Sequence, residues 1–273
     1  MLLSTVFIFR PLAEGALPLT QGNAIHAWFL SLVHQQSPTL ARWLHGQERR
    51  KPFTTSPLQG ALTRQGQSAR VRADHTYWLR VTSLQADLSA VLLAIEAAPP
   101  PRVRLFDVEF EVCTVTSHPQ AHAWAGQSTY EHLYAQAGVN QPAAQATLEF
   151  FSPTVFRSQG RNQLLPSPRL IFSSLWDSWH AFAPLLLPDA LLPLLSTELN
   201  VLSYELKTQM CDFGKYRQSG FVGSCTLGMP RRPAAPDADV LRGMHLLCHT
   251  AFFTGVGYKT TMGMGQARRL AHA

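Results

Sequence analysis

Apolar positions open the chain as a nearly unbroken run over 2–9, interrupted by Arg10, and this run predicts a first β-strand. Ile25, Trp28, Phe29, Leu32 and Val33 then recur at the spacing of one helix face. Ser37-Pro38 predicts the cap and first turn of a second, short helix carrying Leu40, Trp43 and Leu44, since proline at the first helical position lacks only an N–H that has no partner there. Extended runs are expected at 53–58, from Arg70 onward, and at 76–82, where strand formers dominate. Leu88, Val91, Leu92 and Ile95 predict a helix over 84–98, stopped by Pro99-Pro100-Pro101. From Val103 to Val115 the alternation predicts one long strand, broken near Phe106 and Asp107 by a bulge.

Strand, helix, strands, helix, strand is the order of a ferredoxin-like βαββαβ unit, which takes up residues 1–117. Residues 118–146, rich in Ala, Gln and His, read as a linker with a helix around 130–137. A second unit fills 147–273: strand 147–156, helix 169–182, a proline-punctuated helical insertion to 195, strands 201–210 and 220–226, a helix over 237–253, and a closing strand 265–270. The expected fold class is therefore α+β, with two tandem ferredoxin-like (RRM-like) domains and a C-terminal glycine-rich loop.

Composition narrows the class without choosing a function. The 273 residues include 46% hydrophobic side chains, enough for packed cores, and no uninterrupted apolar stretch of membrane-spanning length. The start lacks the basic region of a signal peptide, and the four cysteines (113, 211, 225 and 248) form no CxxC, so a reducing cytoplasmic location is expected and no membrane partner. Lys and Arg outnumber Asp and Glu by 23 to 17, a net charge of +6 that makes an anionic partner plausible. Arg64, Arg70, Arg72 and Arg80 cluster in one predicted hairpin region and Lys215, Arg217, Arg231 and Arg232 border another; basic hairpins suit an RNA backbone, and solubilising charge is the equal alternative for each. His245, Cys248 and His249 share a helix but lack a further ligand at metal-binding spacing, so no metal or other cofactor is expected.

The densest local signal is 255–265, Gly-Val-Gly-Tyr-Lys-Thr-Thr-Met-Gly-Met-Gly, which follows an apolar helix end. Its glycines allow close backbone approach, and their N–H groups can form an anion-binding nest beside Lys259; a purely structural turn is the equal alternative. It is neither a Walker P-loop, because Tyr258 precedes the lysine, nor a GxGxxG motif, because Thr260 stands at the third glycine position.

This Gly-x-Gly-x-Lys-Thr-x-x-Gly-x-Gly segment resembles the signature of the CRISPR repeat-processing endoribonucleases, the Cas6 family of the RAMP superfamily. The segment Leu40-Ala-Arg-Trp-Leu-His-Gly, followed by Lys51-Pro-Phe-Thr-Thr-Ser-Pro-Leu58, is similar to a second family segment. The resemblance implies cleavage of CRISPR precursor RNA within its repeats without a metal: a 2′-hydroxyl attacks the adjacent phosphate, leaving a 2′,3′-cyclic phosphate and a 5′-hydroxyl. It implies His45 as general base or acid and Lys51 as the stabiliser of charge on the phosphorane. Arg49 and Arg50 would grip flanking phosphates, and Gly255, Gly257, Lys259, Thr260, Gly263, Gly265, Arg231 and Arg232 would lie against RNA. The family tyrosine that faces the histidine falls on Leu30 here, and His26 or His34, one turn to either side, can take its place; His34 ranks after His45. The product guide RNA is expected to stay bound and to bring the protein to other subunits of a CRISPR effector complex. A noncatalytic RNA-binding subunit of such a complex is the alternative reading.

Overall fold

A computed structural model describes residues 1–19, 21–47, 50–66, 68–138, 142–230 and 237–271. The chain divides into two compact units: one of Met1–Gln127, Asp212–Gln218 and Thr261–Gly263, the other of Ser128–Cys211, Ser219–Thr260 and Met264–Ala273.

In the first unit the chain runs β1 (Leu2–Pro11), α1 (Gly22–Gln36), α2 (Pro38–Gly46), β2 (Phe53–Thr55), β3 (Tyr77–Ser83), α3 (Ala86–Ala97), β4 (Arg102–Leu105) and β5 (Val108–Thr116). The main sheet is antiparallel with order β2-β3-β1-β5-β4. Helices α1 and α3 follow the first and third strands of the ferredoxin plan, and their apolar faces bury Ile25, Phe29 and Val33, and Leu88, Leu92 and Ile95. These side chains form one cluster with Phe7 and Phe9 of β1 and Leu79 and Val81 of β3, each fully buried and worth about 2 kcal/mol in transfer from water. The side chain of Ser37 accepts a hydrogen bond from the Leu40 amide and caps α2, with Pro38 in its first turn.

Two details differ from the sequence reading. The expected long strand at 103–115 is a hairpin: Val103 pairs with Phe110 and Leu105 with Val108, and Phe106 turns the chain at φ 57°. Phenylalanine carries no turn signal, so the reversal resembled a bulge in the sequence. The true bulge lies further on, where Ile8 pairs with Thr114 but Phe9 with Val112, leaving Cys113 as the extra residue.

The second unit holds α4 (Tyr130–Gly138), β6 (Gln145–Thr154), α5 (Pro168–Phe182), α6 (Leu191–Glu198), β7 (Asn200–Asp212), β8 (Arg217–Gly228), α7 (Ala238–Thr254) and β9 (Ala267–Arg269). Its sheet order, β7-β8-β6-β9, repeats the β2-β3-β1-β5 arrangement of the first unit strand for strand. α7 buries Val240, Leu241, Met244, Leu247, Cys248 and Ala251, and the Asp237 carboxylate accepts from the amides of Asp239 and Val240 to cap it. Among the described residues, no helix is long and apolar enough to cross a membrane.

Candidate active site

In the first unit α2 turns back along α1 after Ser37, so that the last turn of α2 returns to the beginning of α1. His45 sits in that last turn, exposed. Lys51 follows it, and its Nζ donates to the carbonyl oxygens of Leu44 at 2.5 Å and His45 at 3.1 Å. The ammonium thus ties off the negative end of α2 and fixes the backbone of His45. Burial lowers the Lys51 pKa from its ordinary value.

His26, in the second turn of α1, faces the same place. Its Nδ1 donates to the Thr261 carbonyl at 3.0 Å, which directs the lone pair of the neutral ring to Nε2. The ring tilts against Phe53 with centroids 5.4 Å apart. Burial lowers the His26 pKa below its ordinary 6.5, the Thr261 carbonyl opposes this, and the charges of Lys51 and His45 lower it further. The two imidazoles and the ammonium therefore share one electrostatic neighbourhood.

The Thr261 carbonyl that orients His26 also accepts from Thr55 Oγ1 at 2.9 Å. Next to it, Gly22 lies so close to the Met262 carbonyl that a Cβ would come within 2.3 Å, and Gly263 lies against Pro57. Residues Thr261–Gly263 form a strap across the start of α1 and the end of β2, and Gly22, His26 and Thr55 were not linked to it by anything readable in the sequence. The signal that could have found this was Gly22 itself, a glycine in the first turn of an otherwise ordinary helix.

His34 does not join this group. It lies two turns beyond His26, roughly 12 Å along α1, at the end where α2 begins rather than where His45 stands. Leu30, at the family tyrosine's position, packs on the first unit's core. Arg49 lies outside the described residues, as do Arg231 and Arg232; Arg50 is half-buried.

In the second unit the glycine-rich segment is a tightly closed loop. Val256 N donates to Gly265 O at 2.8 Å, Gly257 N to Ser174 Oγ at 2.8 Å, Tyr258 N to Val155 O at 2.9 Å and Gly265 N to Pro153 O at 3.0 Å. Gly255 ends α7, and its amide returns to Ala251 O. The amides of Gly255, Gly257 and Gly265 are committed to acceptors on α7, α5 and β6 and are not available as an anion nest. Gly257 (φ 87°) and Gly265 (φ 71°) are required by geometry, since a Cβ would come within 2.5 Å of Val155 O and 2.2 Å of Val256 O. Thr260 opens a single 3-10 turn. Lys259, itself at φ 60°, holds its ammonium 5.4 Å from the centre of the Tyr258 ring, and the Arg157 guanidinium lies 5.6 Å from the same ring. Burial lowers the Lys259 pKa, with the thiol of Cys211 opposing and Arg157 adding to the shift.

The family model for the CRISPR Cas6 N-terminal domain matches residues 1–135, and that for the CRISPR-associated endoribonuclease Cas6 matches residues 148–267. A solved Cas6 product complex is 31% identical with a TM-score of 0.81, the alignment covering 99% of this chain and 100% of that one. The chain belongs to the Cas6 family. Thermus thermophilus Cas6 superposes with a TM-score of 0.73 at 29% identity, covering 99% of this chain and 98% of that one. A Cas6 endoribonuclease of Mycobacterium tuberculosis is 30% identical over 122 residues, 44% of this chain, and the match spans only 37% of that protein.

Against this Cas6 frame the remaining basic residues sort by environment. Arg80 is 1% exposed: its Nε donates to Ser4 Oγ at 2.7 Å and Trp124 O at 3.2 Å, and its guanidinium lies over the Trp124 ring. It is a core cation, not part of a basic surface as the sequence reading allowed. Arg70 pairs with Glu14, Arg72 with Asp74 and Arg217 with Asp212, all at exposed or part-exposed positions. In the helix that carries His245, Cys248 and His249, His249 Nε2 accepts from Arg269 and His245 Nε2 donates to Ala143 O. Among the described residues, no group of three or more His, Cys, Asp or Glu side chains is placed to hold a metal ion.

Proposed function

We propose that this chain cleaves CRISPR precursor RNA within its repeats, in a metal-independent reaction, and keeps hold of the product. Membership of the Cas6 family supports the substrate class, and relatives solved as product and substrate-mimic complexes support an RNA partner. The observation that carries the mechanism is the orientation of His26 by the Thr261 carbonyl beside Lys51 and His45.

The reaction needs three things: a base for the 2′-hydroxyl, a positive charge for the phosphorane, and an acid for the departing 5′-oxygen. His26 is neutral at working pH and its Nε2 accepts the 2′-hydroxyl proton as the new O–P bond forms. His45, exposed at the end of α2, returns a proton to the 5′-oxygen as the old P–O bond breaks. The 2′,3′-cyclic phosphate and 5′-hydroxyl follow from that exchange. Lys51 has two of its ammonium hydrogens on the α2 carbonyls, and the third faces the phosphate. Arg50 supports the flanking backbone, Lys259 is kept as an RNA contact of the second unit by itself, and His34 has no step in this scheme.

The test is single-turnover cleavage of a repeat RNA in EDTA by wild type, His26→Ala, His45→Ala, Lys51→Ala and His34→Ala. The first three variants are expected to lose about 100-fold or more in rate while still binding RNA, and His34→Ala to stay near wild type. Undiminished cleavage by both His26→Ala and His45→Ala would sink the proposal. Tight binding with no cleavage by the wild type would make the chain a noncatalytic RNA-binding subunit, the reading that the apolar Leu30 favours.

A further inference from the structure

The carbonyl oxygen of Thr261 serves two donors at once, His26 Nδ1 at 3.0 Å and Thr55 Oγ1 at 2.9 Å. The two are held with unequal firmness. His26 reaches the oxygen from α1 through rotatable bonds, whereas Thr55 is 0% exposed, β-branched and fixed in β2, where it pairs with Val81. Alternation along β2 puts Thr55 on the face that carries Phe53, the ring against which His26 tilts. Thr54 takes the other face, its hydroxyl 2.8 Å from that of Thr82. One short strand therefore meets the imidazole twice, by Phe53 at the flat of the ring and through Thr55 at the oxygen that its Nδ1–H reaches.

A carbonyl that served His26 alone could turn with the ring, and the two would drift together. With one lone pair tied to the sheet, the other has a set direction, and the ring must come to it. We infer that Thr55 is a positioning residue for the cleavage: it holds the Thr261 oxygen so that His26 keeps its proton on Nδ1 and its lone pair on Nε2. This role rests on the reading of His26 as the base. As the 2′-hydroxyl proton reaches Nε2 the ring becomes an imidazolium, and its Nδ1–H bond strengthens towards an oxygen that is already in place. The same oxygen favours the protonated ring, against burial and against Lys51 and His45, the two titratable groups whose charges reach it. Loosening the oxygen lowers the His26 pKa, so the acid limb of the rate profile moves to lower pH.

The experiment is single-turnover cleavage of a repeat RNA against pH by the full chain, as wild type, Thr55→Val, Thr55→Ser, His26→Ala and Thr55→Val/His26→Ala, with nitrogen NMR spectra of histidine-labelled protein alongside. Thr55→Val keeps the branched shape and leaves the Thr261 oxygen with His26 as donor, so no acceptor is orphaned. It is expected to lower the rate about tenfold at unchanged RNA affinity, to move the acid limb to lower pH and to mix the Nε2–H tautomer into the His26 spectrum. Thr55→Ser restores the donor and is expected to match wild type in all three respects. In the His26→Ala background the change at Thr55 is expected to alter the rate less than about twofold, because the two side chains act as one unit. A wild-type rate in Thr55→Val overturns the inference, and so does a lowered rate with an unchanged acid limb and His26 spectrum, which marks a structural loss. Undiminished cleavage by His26→Ala refutes the base assignment, and the tautomer and titration of His26 in Thr55→Val then still decide whether Thr55 positions the ring.

Discussion

At the scale of single residues, the arrangement around His26 makes its protonation the most informative observable. Burial first, and the charges of Lys51 and His45 after it, hold its pKa below 6.5, so the ring sheds its proton at lower pH than a free imidazole. The acid limb of the cleavage rate against pH is therefore expected below pH 6.5, and it is expected to disappear in His26→Ala, measured by single-turnover kinetics from about pH 4.5 to 8. A limb that survives unchanged in His26→Ala would assign the base elsewhere. Arg80 poses the opposite kind of question. Arg80→Ala removes a buried cation that donates to Ser4 and to the Trp124 carbonyl and stacks on Trp124. The expected cost is about 2–4 kcal/mol by urea unfolding, because the acceptors stay buried and a cavity opens.

At the scale of elements, the glycine-rich loop and the hairpin turn can be separated by substitution. Gly257→Ala combines a left-handed φ with a Cβ pressed against the Val155 carbonyl and is expected to cost at least about 2 kcal/mol. Gly66→Ala, with φ 59° but open space around it, is expected to cost only about 1 kcal/mol, so the difference measures crowding alone. Phe106→Gly relieves a left-handed backbone and is expected to raise stability by about 0.5–1 kcal/mol, provided the ring's partial packing on the core contributes less than the strain it removes. These elements also show where the sequence was legible. Helix faces such as Ile25-Phe29-Val33 and the capped Ser37-Pro38 start could be read because period and cap chemistry are local. The Phe106 turn was hidden because a bulky residue occupies a position that glycine or asparagine usually marks. The ranking of His34 ahead of His26 rests on a different limit: periodicity places both on one stripe, and only the direction in which α2 returns decides which end of α1 lies nearer His45.

At the scale of the whole molecule, acid should reach the second unit through His249. Burial, then Arg269 and His245, push its pKa down to about 4, so between its ordinary 6.5 and that value the unfolded chain binds more protons than the folded one. Stability is expected to fall as pH drops through that window, by about 2 kcal/mol after discounting for partial exposure, and His249→Gln, which keeps an acceptor for Arg269 without titrating, is expected to flatten the curve. Urea midpoints between pH 7 and 4 check this, and equal slopes in wild type and variant would discard it. The strap over His26 has its own long-range meaning. The oxygen that aims this imidazole is supplied 235 positions downstream. During synthesis, a ribosome adding about 5–20 residues per second delivers His26 well before Thr261. A nascent chain thus carries both histidines and the lysine for seconds before it can orient one of them, and a transcript met in that interval finds an unfinished cutter.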